Sequence, residues 1–554
     1  MAEPMLALST SEHYTLTLTR VMVLENPLRI IVVGGVAGGM SAATRARRLS
    51  EHAQITVFEQ GPFVSYASCG VPYALGHIIK DDLALVVQTP QSFKQRFNID
   101  VYVNSEVVTV DRATKDVTVR VEGQHELQVF TLRTIDDMKA IRQFIKVNEC
   151  QKAAVIGGGF IGFEAAENLQ CLGLQATVIE QLPHVFAPMD ADIAQAIHDE
   201  LQRHNVKLLL GSKVTRIHQN DKKHLETVSK VAVDTTNGGS VHVDFVVLCV
   251  GAQPRTSLAA AVGLELGTKG VTINEYMQIS DPDIYAVGDM VETMNIVSLD
   301  TTVMAHAGPA SRQGRCAANH MLGQSHRYRG SIGTWVCKVF DLTIASTGLS
   351  VTELQRLGSP VQWITIHPYD HASYYPGAAP MTLRVTFTPD QGQLLGAQIV
   401  GKSGVDKRID VLLTAILACM RVHDLEHLEL AYAPPYSSAK DPVNMAGFVG
   451  SNVVRGDVKI MHARDVAGLL DTHQVVDVRN PAEHLHGHLP GAMNYPLTEL
   501  RQKHHHLDFD RGILVYCQDG YRGYLAYRIL TQLGFMVANL DGGYESYRAH
   551  RGND

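Results

Sequence analysis

No stretch of the chain is apolar for long enough to cross a bilayer, and no C-x-x-C pair occurs among its eight cysteines. The first absence argues against a membrane-spanning protein. The second excludes a C-x-x-C redox pair and zinc-ligand spacing, so no metal site is expected. Scatter over positions 69, 150, 171, 249, 316, 337, 419 and 517 makes no disulfide framework either. A net charge of −8 leaves no electrostatic footprint for nucleic acid or an acidic membrane surface. Residues 1–27 contain neither a signal-peptide apolar core with a cleavage site nor an arginine-rich presequence free of acids. A cytoplasmic location is therefore expected. What is present is ordinary for a globular protein, 45% hydrophobic and 19% charged, and 554 residues suit three or four domains.

Two segments share one grammar. Residues 28–39, LRIIVVGGVAGG, are a β-branched run ending in a glycine turn; the helical stretch MSAATRARRL follows, then a strand, ITVFE, ending at Glu59. Such spacing suits an acid that binds an adenosine ribose in a dinucleotide fold, although Val36 stands where the second glycine of G-x-G-x-x-G belongs. At 153–180 the motif is complete, with Gly157, Gly159 and Gly162 opening a helix and a strand ending at Glu180. Glycines there let the backbone approach a pyrophosphate at a helix N-terminus. Glu180 would accept both ribose hydroxyls and repel a 2′-phosphate, which favours NADH while leaving NADPH possible. Two such folds imply two dinucleotides, or one duplication with a dead site.

Further along, IYAVGD at 284–289 reads as an apolar strand running into Gly288 and Asp289. From about 331 the pattern becomes mixed. TLRVTF and LLGAQIVG read as a hairpin, RIDVLLTAILACM as a buried helix, and SNVVRGDV at 451–458 as a linker. The last hundred residues form a short α/β pattern with strands QVVDVR, AMNYPL, ILVYC and MVANLDGG. The run His504–His506 reads as a solvated loop, because adjacent residues of a regular element cannot all face one ion.

The stretches GGVAGGMSAATRARRL, SYASCGVPYALG, LALVVQTPQSFKQRFNIDV, GPASRQGR, TWVCKVFDLTIASTGL, YYPGA and AYAPPYSSAKDPVN resemble the coenzyme A-disulfide reductases. More narrowly, they are similar to the rhodanese-fused branch that includes NADH-dependent persulfide reductases. The resemblance runs from about residue 28 to the C-terminus. It implies an α/β protein with two Rossmann-like dinucleotide-binding domains, for FAD (28–133 and 255–330) and NADH (134–254). An α+β dimerisation domain (331–450) and a C-terminal α/β rhodanese domain (457–554) complete it. The match breaks once. Family members carry a further strand and turn before the FTLR segment, which TVRVEGQHELQVFTLR lacks, so the FAD domain is internally shortened near 121–130.

The resemblance also implies roles. Cofactor contacts fall on Gly34, Gly35, Val36, Ala37, Gly38, Gly39, Glu59, Gly157, Gly159, Phe160, Ile161, Gly162, Glu180, Gly251, Asp289 and Ala307, with Asp289 on the ribityl chain of FAD. Cys69 would be the redox cysteine. Classical disulfide reductases place a second cysteine five positions on, but here that residue is Ala74, so the oxidised form would be a mixed disulfide with coenzyme A. Substrate contacts carry over to Ser41, Arg45, Arg48, Ser65 and Lys440, and to Ser68, which replaces a usual Asn. Tyr374 and Tyr432 match tyrosines that approach the active-site sulfur from the partner subunit, implying a homodimer.

At the C-terminus, Cys517 with Gln518, Asp519, Gly520, Tyr521 and Arg522 forms a rhodanese loop. Its backbone N–H groups are expected to stabilise a thiolate or persulfide, Arg522 to close the loop, and Asp477 with Arg479 to brace its base. A C-x4-R loop favours sulfur over phosphate, and Asp519 makes thiosulfate a doubtful donor. The expected activity is NADH-dependent reduction of CoA disulfide, CoA persulfide or polysulfide. An NADH oxidase on the same scaffold, or a non-catalytic sulfur carrier if FAD binding is lost, are the alternatives.

Overall fold

The computed structural model describes residues 27–120, 129–219, 231–251 and 253–552. The first β-branched run forms β1 (Arg29–Val33), its glycine turn feeds α1 (Ala37–Leu49), and β2 (Gln54–Phe58) pairs parallel to β1. Past the cysteine loop, α2 (Val71–Leu75) precedes β3 (Asp100–Tyr102), which pairs parallel to β2. The sheet order is β1-β2-β3, with β1 at an edge.

The second fold shows what a complete copy looks like. β4 (Val129–Thr131), β5 (Lys152–Ile156), α3 (Phe160–Cys171), β6 (Gln175–Ile179), β7 (Lys207–Leu209) and β8 (Phe245–Leu248) supply a parallel sheet of order β4-β8-β5-β6-β7. Here β8 covers the side of the glycine-turn strand that β1 leaves open. The difference is visible at equivalent positions: Val33 is 48% exposed, Ile156 only 7%.

Two expectations are corrected by this geometry. Because β4 pairs with β8, residues 129–131 belong to the second sheet rather than to the first domain. The strand expected at 284–289 makes only an isolated bridge, Tyr285 to Gln278, and Val287 lies against Gly38 of α1. The expected shortening, near 121–130, falls on residues 121–128, outside those described, and on the start of β4. What holds the first domain together is the packing of a later helix, α4 (Ala307–Met321), along α1, where Gly314 has no side chain to keep it from the Gly38 carbonyl.

The third domain is an antiparallel sheet, β9 (Trp335–Val339), β10 (Leu342–Gly348), β11 (Gln362–Ile366), β12 (Met381–Phe387) and β13 (Leu394–Gly401), in the order β9-β10-β13-β12-β11. The predicted hairpin is β12–β13, and α5 (Val405–Leu417) and α6 (Pro442–Val454) pack on the sheet. The fourth is a parallel sheet of β14 (Ile460–Met461), β15 (His473–Asp477), β16 (Met493–Asn494), β17 (Gly512–Tyr516) and β18 (Val537–Leu540), in the order β14-β18-β17-β15-β16, with α7 (Tyr521–Gln532) leaving the cysteine loop.

The first half of the stretch expected to be a linker, 451–454, is helix. α6 runs through Val454, and Val453 and Ile460 pack against both the third and fourth cores. The fourth domain is also docked on β11. The Thr365 N–H donates to Asp541 Oδ1 at 3.0 Å, Trp363 stacks on His462 at 3.7 Å, and His367 Nε2 lies 3.0 Å from Ser546 Oγ. His504–His506 form a single 3-10 turn with His505 and His506 exposed. No helix among the described residues is long and apolar enough to cross a membrane.

Candidate active site

The two glycine turns are wired alike. In the first, Glu59 accepts from the N–H groups of Gly35 (2.7 Å) and Gly61 (2.8 Å); in the second, Glu180 accepts from Gly158 (2.6 Å) and Leu182 (2.9 Å). Gly34 (φ 98°) and Gly157 (φ 107°) turn in the left-handed region. A side chain on Gly39 or Gly162 would strike the carbonyl of Gly34 or Gly157. Gly159 needs no such freedom, since its φ is −103° and a Cβ there meets open space; Val36, its counterpart at φ −109°, is accommodated for that reason. The residues present thus fit the adenosine halves of two dinucleotides, at the N-termini of α1 and α3.

Between the two cradles, Gly288 (φ 85°) donates to Gln313 Oε1 and presents Asp289, whose carboxyl is pushed up by desolvation and pulled down by His306. His306 caps α4 ahead of exposed Ala307, and its ring packs edge-on to Phe160, the first residue of α3. Sequence reasoning missed it, because nothing local relates it to Asp289. Ile161 is 44% exposed beside that junction, and Gly251 takes φ 95° after β8. Cys249, under the second turn, is raised to about 12 by burial, as befits a packing cysteine. Replacing Glu180 by Arg removes an acceptor and supplies a phosphate partner. The expected result is a shift of the NADH/NADPH rate ratio towards NADPH by about tenfold or more; an unchanged ratio would show that Glu180 does not contact the ribose.

Cys69 lies exposed on a 3-10 turn, Ser68–Gly70, directly before α2. The loop is tied to the first glycine turn: Ser65, at φ 47°, donates its N–H to the Gly35 carbonyl at 2.7 Å. Ala74, where a second cysteine would stand, is fully buried. All eight cysteines are free. On α1, Ser41 is half-buried, Arg48 is exposed, and Arg45 donates to Asn319 and Gln324. Desolvation, then Arg315 and Arg48, push the Arg45 pKa down, which marks a cationic patch on α1 and α4; Arg315 was not foreseen.

In the third domain the structure brings Tyr374 and Tyr432 together, hydroxyl to hydroxyl at 3.0 Å, and that bond raises the Tyr374 pKa. Tyr374 is 74% exposed and Tyr436, the last tyrosine of AYAPPY, 73%. Tyr436 was in the quoted motif yet unassigned; it lines, with Tyr432, Lys407 and His371, a cavity of about 490 Å³. Lys440 is exposed, its ammonium over the Phe448 ring.

The fourth domain holds the second sulfur site. Buried Cys517 accepts the Gly520 N–H at 3.2 Å and its thiol faces Asp519 Oδ1 at 3.3 Å. Gly520 turns at φ 96°, and Tyr521 begins α7 with its N–H on Asp519. Arg479 is clamped on Asp477 at 2.8 Å and reaches Gln518 Oε1 at 2.9 Å, so the base is braced as expected. Arg522 forms a two-pronged pair with Glu483 (2.8 and 2.6 Å). The Gly520 N–H is aimed at the sulfur, while burial, followed by the Asp519 charge, pushes the Cys517 thiol up to about 11 against the backbone N–H groups of Gly523 and Asp519. Asp519→Asn should therefore lower that pKa. Its alkylation rate by a small thiol reagent would reach its plateau at lower pH, by about tenfold in rate per unit below it. An unmoved profile would show that Asp519 does not control the thiol.

Comparison with known proteins agrees with these elements. Residues 28–126 and 118–314 match the pyridine nucleotide-disulphide oxidoreductase model, residues 335–442 the dimerisation domain of that family, and residues 462–550 the rhodanese-like domain. Coenzyme A disulfide reductase of Staphylococcus haemolyticus is 35% identical over 447 residues, covering 76% of this chain and 98% of that relative. Reduced CoADR-RHD of Bacillus anthracis superposes with a TM-score of 0.88 at 38% identity, covering 95% of this chain and 98% of the other. A NAD-dependent persulfide reductase from A. fulgidus gives 0.87 at 32%, covering 94% and 100%. A water-forming NADH oxidase from Lactobacillus brevis, 22% identical with a TM-score of 0.71, shares the fold.

The chain belongs to the pyridine nucleotide-disulphide oxidoreductases. Within them its architecture is that of the rhodanese-fused coenzyme A disulfide reductases, enzymes acting on sulfur with FAD and NADH.

Proposed function

We propose that the chain moves electrons from NADH, through FAD, to Cys69 and there reduces CoA disulfide, CoA persulfide or polysulfide, with Cys517 handling sulfane sulfur. The observation that carries this reading is the Cys69 loop: an exposed thiol without a cysteine partner, hydrogen-bonded through Ser65 to the first glycine turn. Glu59 and the turn of α1 would hold FAD, with Asp289 toward its ribityl chain; Glu180 and the turn of α3 would hold NADH. FAD, when bound, relays two electrons from the nicotinamide to sulfur. Cys69 then attacks the substrate S–S bond as thiolate, one half leaving as a thiol and the other held as a mixed disulfide. Arg45, Arg48 and Lys440 would take coenzyme A phosphates, and Tyr374 with Tyr432 would complete the partner subunit's site in a homodimer.

The test begins with colour, since a flavin absorbance in the purified protein is expected. NADH oxidation should then release two CoA thiols per CoA disulfide reduced. Peroxide or water formed from oxygen in place of those thiols would overturn the proposal in favour of an oxidase.

A further inference from the structure

Reduction of one S–S bond by one NADH takes up one proton: NADH + H⁺ + R–S–S–R′ gives NAD⁺ + R–SH + R′–SH. The S–S bond breaks, two electrons arrive as hydride, and one of the two protons needed must come from the protein or solvent. The junction of α2 and α3 carries a group placed to supply it.

Glu164, on α3, is half-buried, and its Oε1 accepts the Tyr73 hydroxyl at 3.0 Å. Tyr73 lies on α2, four residues after Cys69, and the turn at 68–70 runs directly into α2, so Cys69 and Tyr73 are one helical turn apart. The junction is closely packed: Gly76 abuts Asn168, leaving no room for a side chain. The other titratable groups facing Glu164 do not neutralise it. Glu167, one turn further along α3, is ion-paired with Lys338 at 2.7 Å and accepts the Phe340 N–H at 2.8 Å. Cys337, on β9, is a buried thiol that burial and both carboxyls hold protonated. The nearby cation is therefore spent on Glu167, and Glu164 is left with a phenol. Burial raises its pKa, the Tyr73 hydrogen bond lowers it, and Glu167 raises it again, leaving it at about 7. The Tyr73 phenol is pushed well above its ordinary range by burial and by Glu164.

From this placement, and resting on the reductase reading above, we infer that Glu164 and Tyr73 are the proton store for sulfur reduction. As Tyr73 turns its hydroxyl proton from Glu164 to a thiolate formed at Cys69, the bond between them reverses: the phenol oxygen accepts the carboxyl proton of Glu164, and Glu164 is refilled from solvent. Glu164 acts through Tyr73 and is a positioning residue in that sense. It must be protonated to serve, so turnover falls as pH rises through its titration.

Glu164→Gln keeps the shape and the acceptor but cannot titrate. With CoA disulfide, kcat should drop by about 100-fold with KM unchanged, and the wild-type decline above about pH 7, about tenfold per unit, should disappear. Tyr73→Phe should lose kcat similarly. Infrared difference spectra between wild type and Glu164→Gln read the carboxyl without turnover and should show it losing its proton near neutrality. A carboxyl already ionised at about pH 5 overturns the store. So does a Glu164→Gln variant that matches wild type in kcat and pH profile. A wild-type chain that binds NADH but releases no CoA from CoA disulfide overturns the reductase reading itself, and this inference with it.

Discussion

Cys69→Ser should bind NADH as the wild type does and should not turn over CoA disulfide, a loss on the order of 10⁴-fold or more, as removal of a covalent nucleophile commonly gives. The size follows from the site. Ala74 is buried where a second cysteine would stand, so no neighbouring thiol can take over the attack. The substitution is mild for the fold, because Cys69 is exposed on its turn and fills no core. Both glycine turns and both ribose acids lie on other segments, so a loss of nucleotide binding is not expected. The measurement is free CoA released against NADH consumed, alongside NADH affinity by fluorescence. Normal CoA release by the variant would sink the mechanism. NADH consumed without CoA release would instead report oxygen as the acceptor.

Much of this was legible because the motifs are local. The second turn carries Gly157 and Gly162 at positions where a Cβ would meet a carbonyl, and its acid at the end of the next strand, so 153–180 predicts its own structure. Val36 is legible too, since the position asks only for a capping φ that any residue adopts. What the sequence hid depends on neighbours distant in the chain. The β-branched residues of 284–287 read as a strand, but among the described residues that stretch makes only the Tyr285–Gln278 bridge, because strand pairing depends on neighbours and not on propensity alone. The Cys517 loop reads locally as an anion nest and turns the Gly520 N–H onto the sulfur, but only the folded site shows burial and Asp519 pushing the thiol up. Glu164 looks like any helical acid until α2, brought in from 91 residues away, lays Tyr73 on it. Asp541 lies in the MVANLDGG segment read as a strand, and only the packed domains show it receiving the Thr365 N–H.

That docking bears on the division of labour between the two sulfur sites. Cys517→Ser should lose at least about 100-fold in activity on polysulfide or protein-bound persulfide, because the sulfane sulfur has no other thiol in that loop to bind. Reduction of CoA disulfide should stay within about twofold of wild type, since that substrate reaches exposed Cys69 without passing the rhodanese loop. A flexible tether would give the two sites an effective concentration in the millimolar range. The fourth domain is held more firmly than that. Thr365–Asp541, Trp363–His462 and His367–Ser546 fix it on β11, and Val453 and Ile460 pack against both cores. Separately made reductase and rhodanese halves should for this reason recover polysulfide activity well below millimolar concentration, provided Cys517 is present in one and Cys69 in the other. Full polysulfide activity in Cys517→Ser would show that sulfur enters at Cys69 directly. Equal loss of CoA-disulfide and polysulfide activity would show that Cys517 supports the fold of the whole chain rather than the transfer of sulfur.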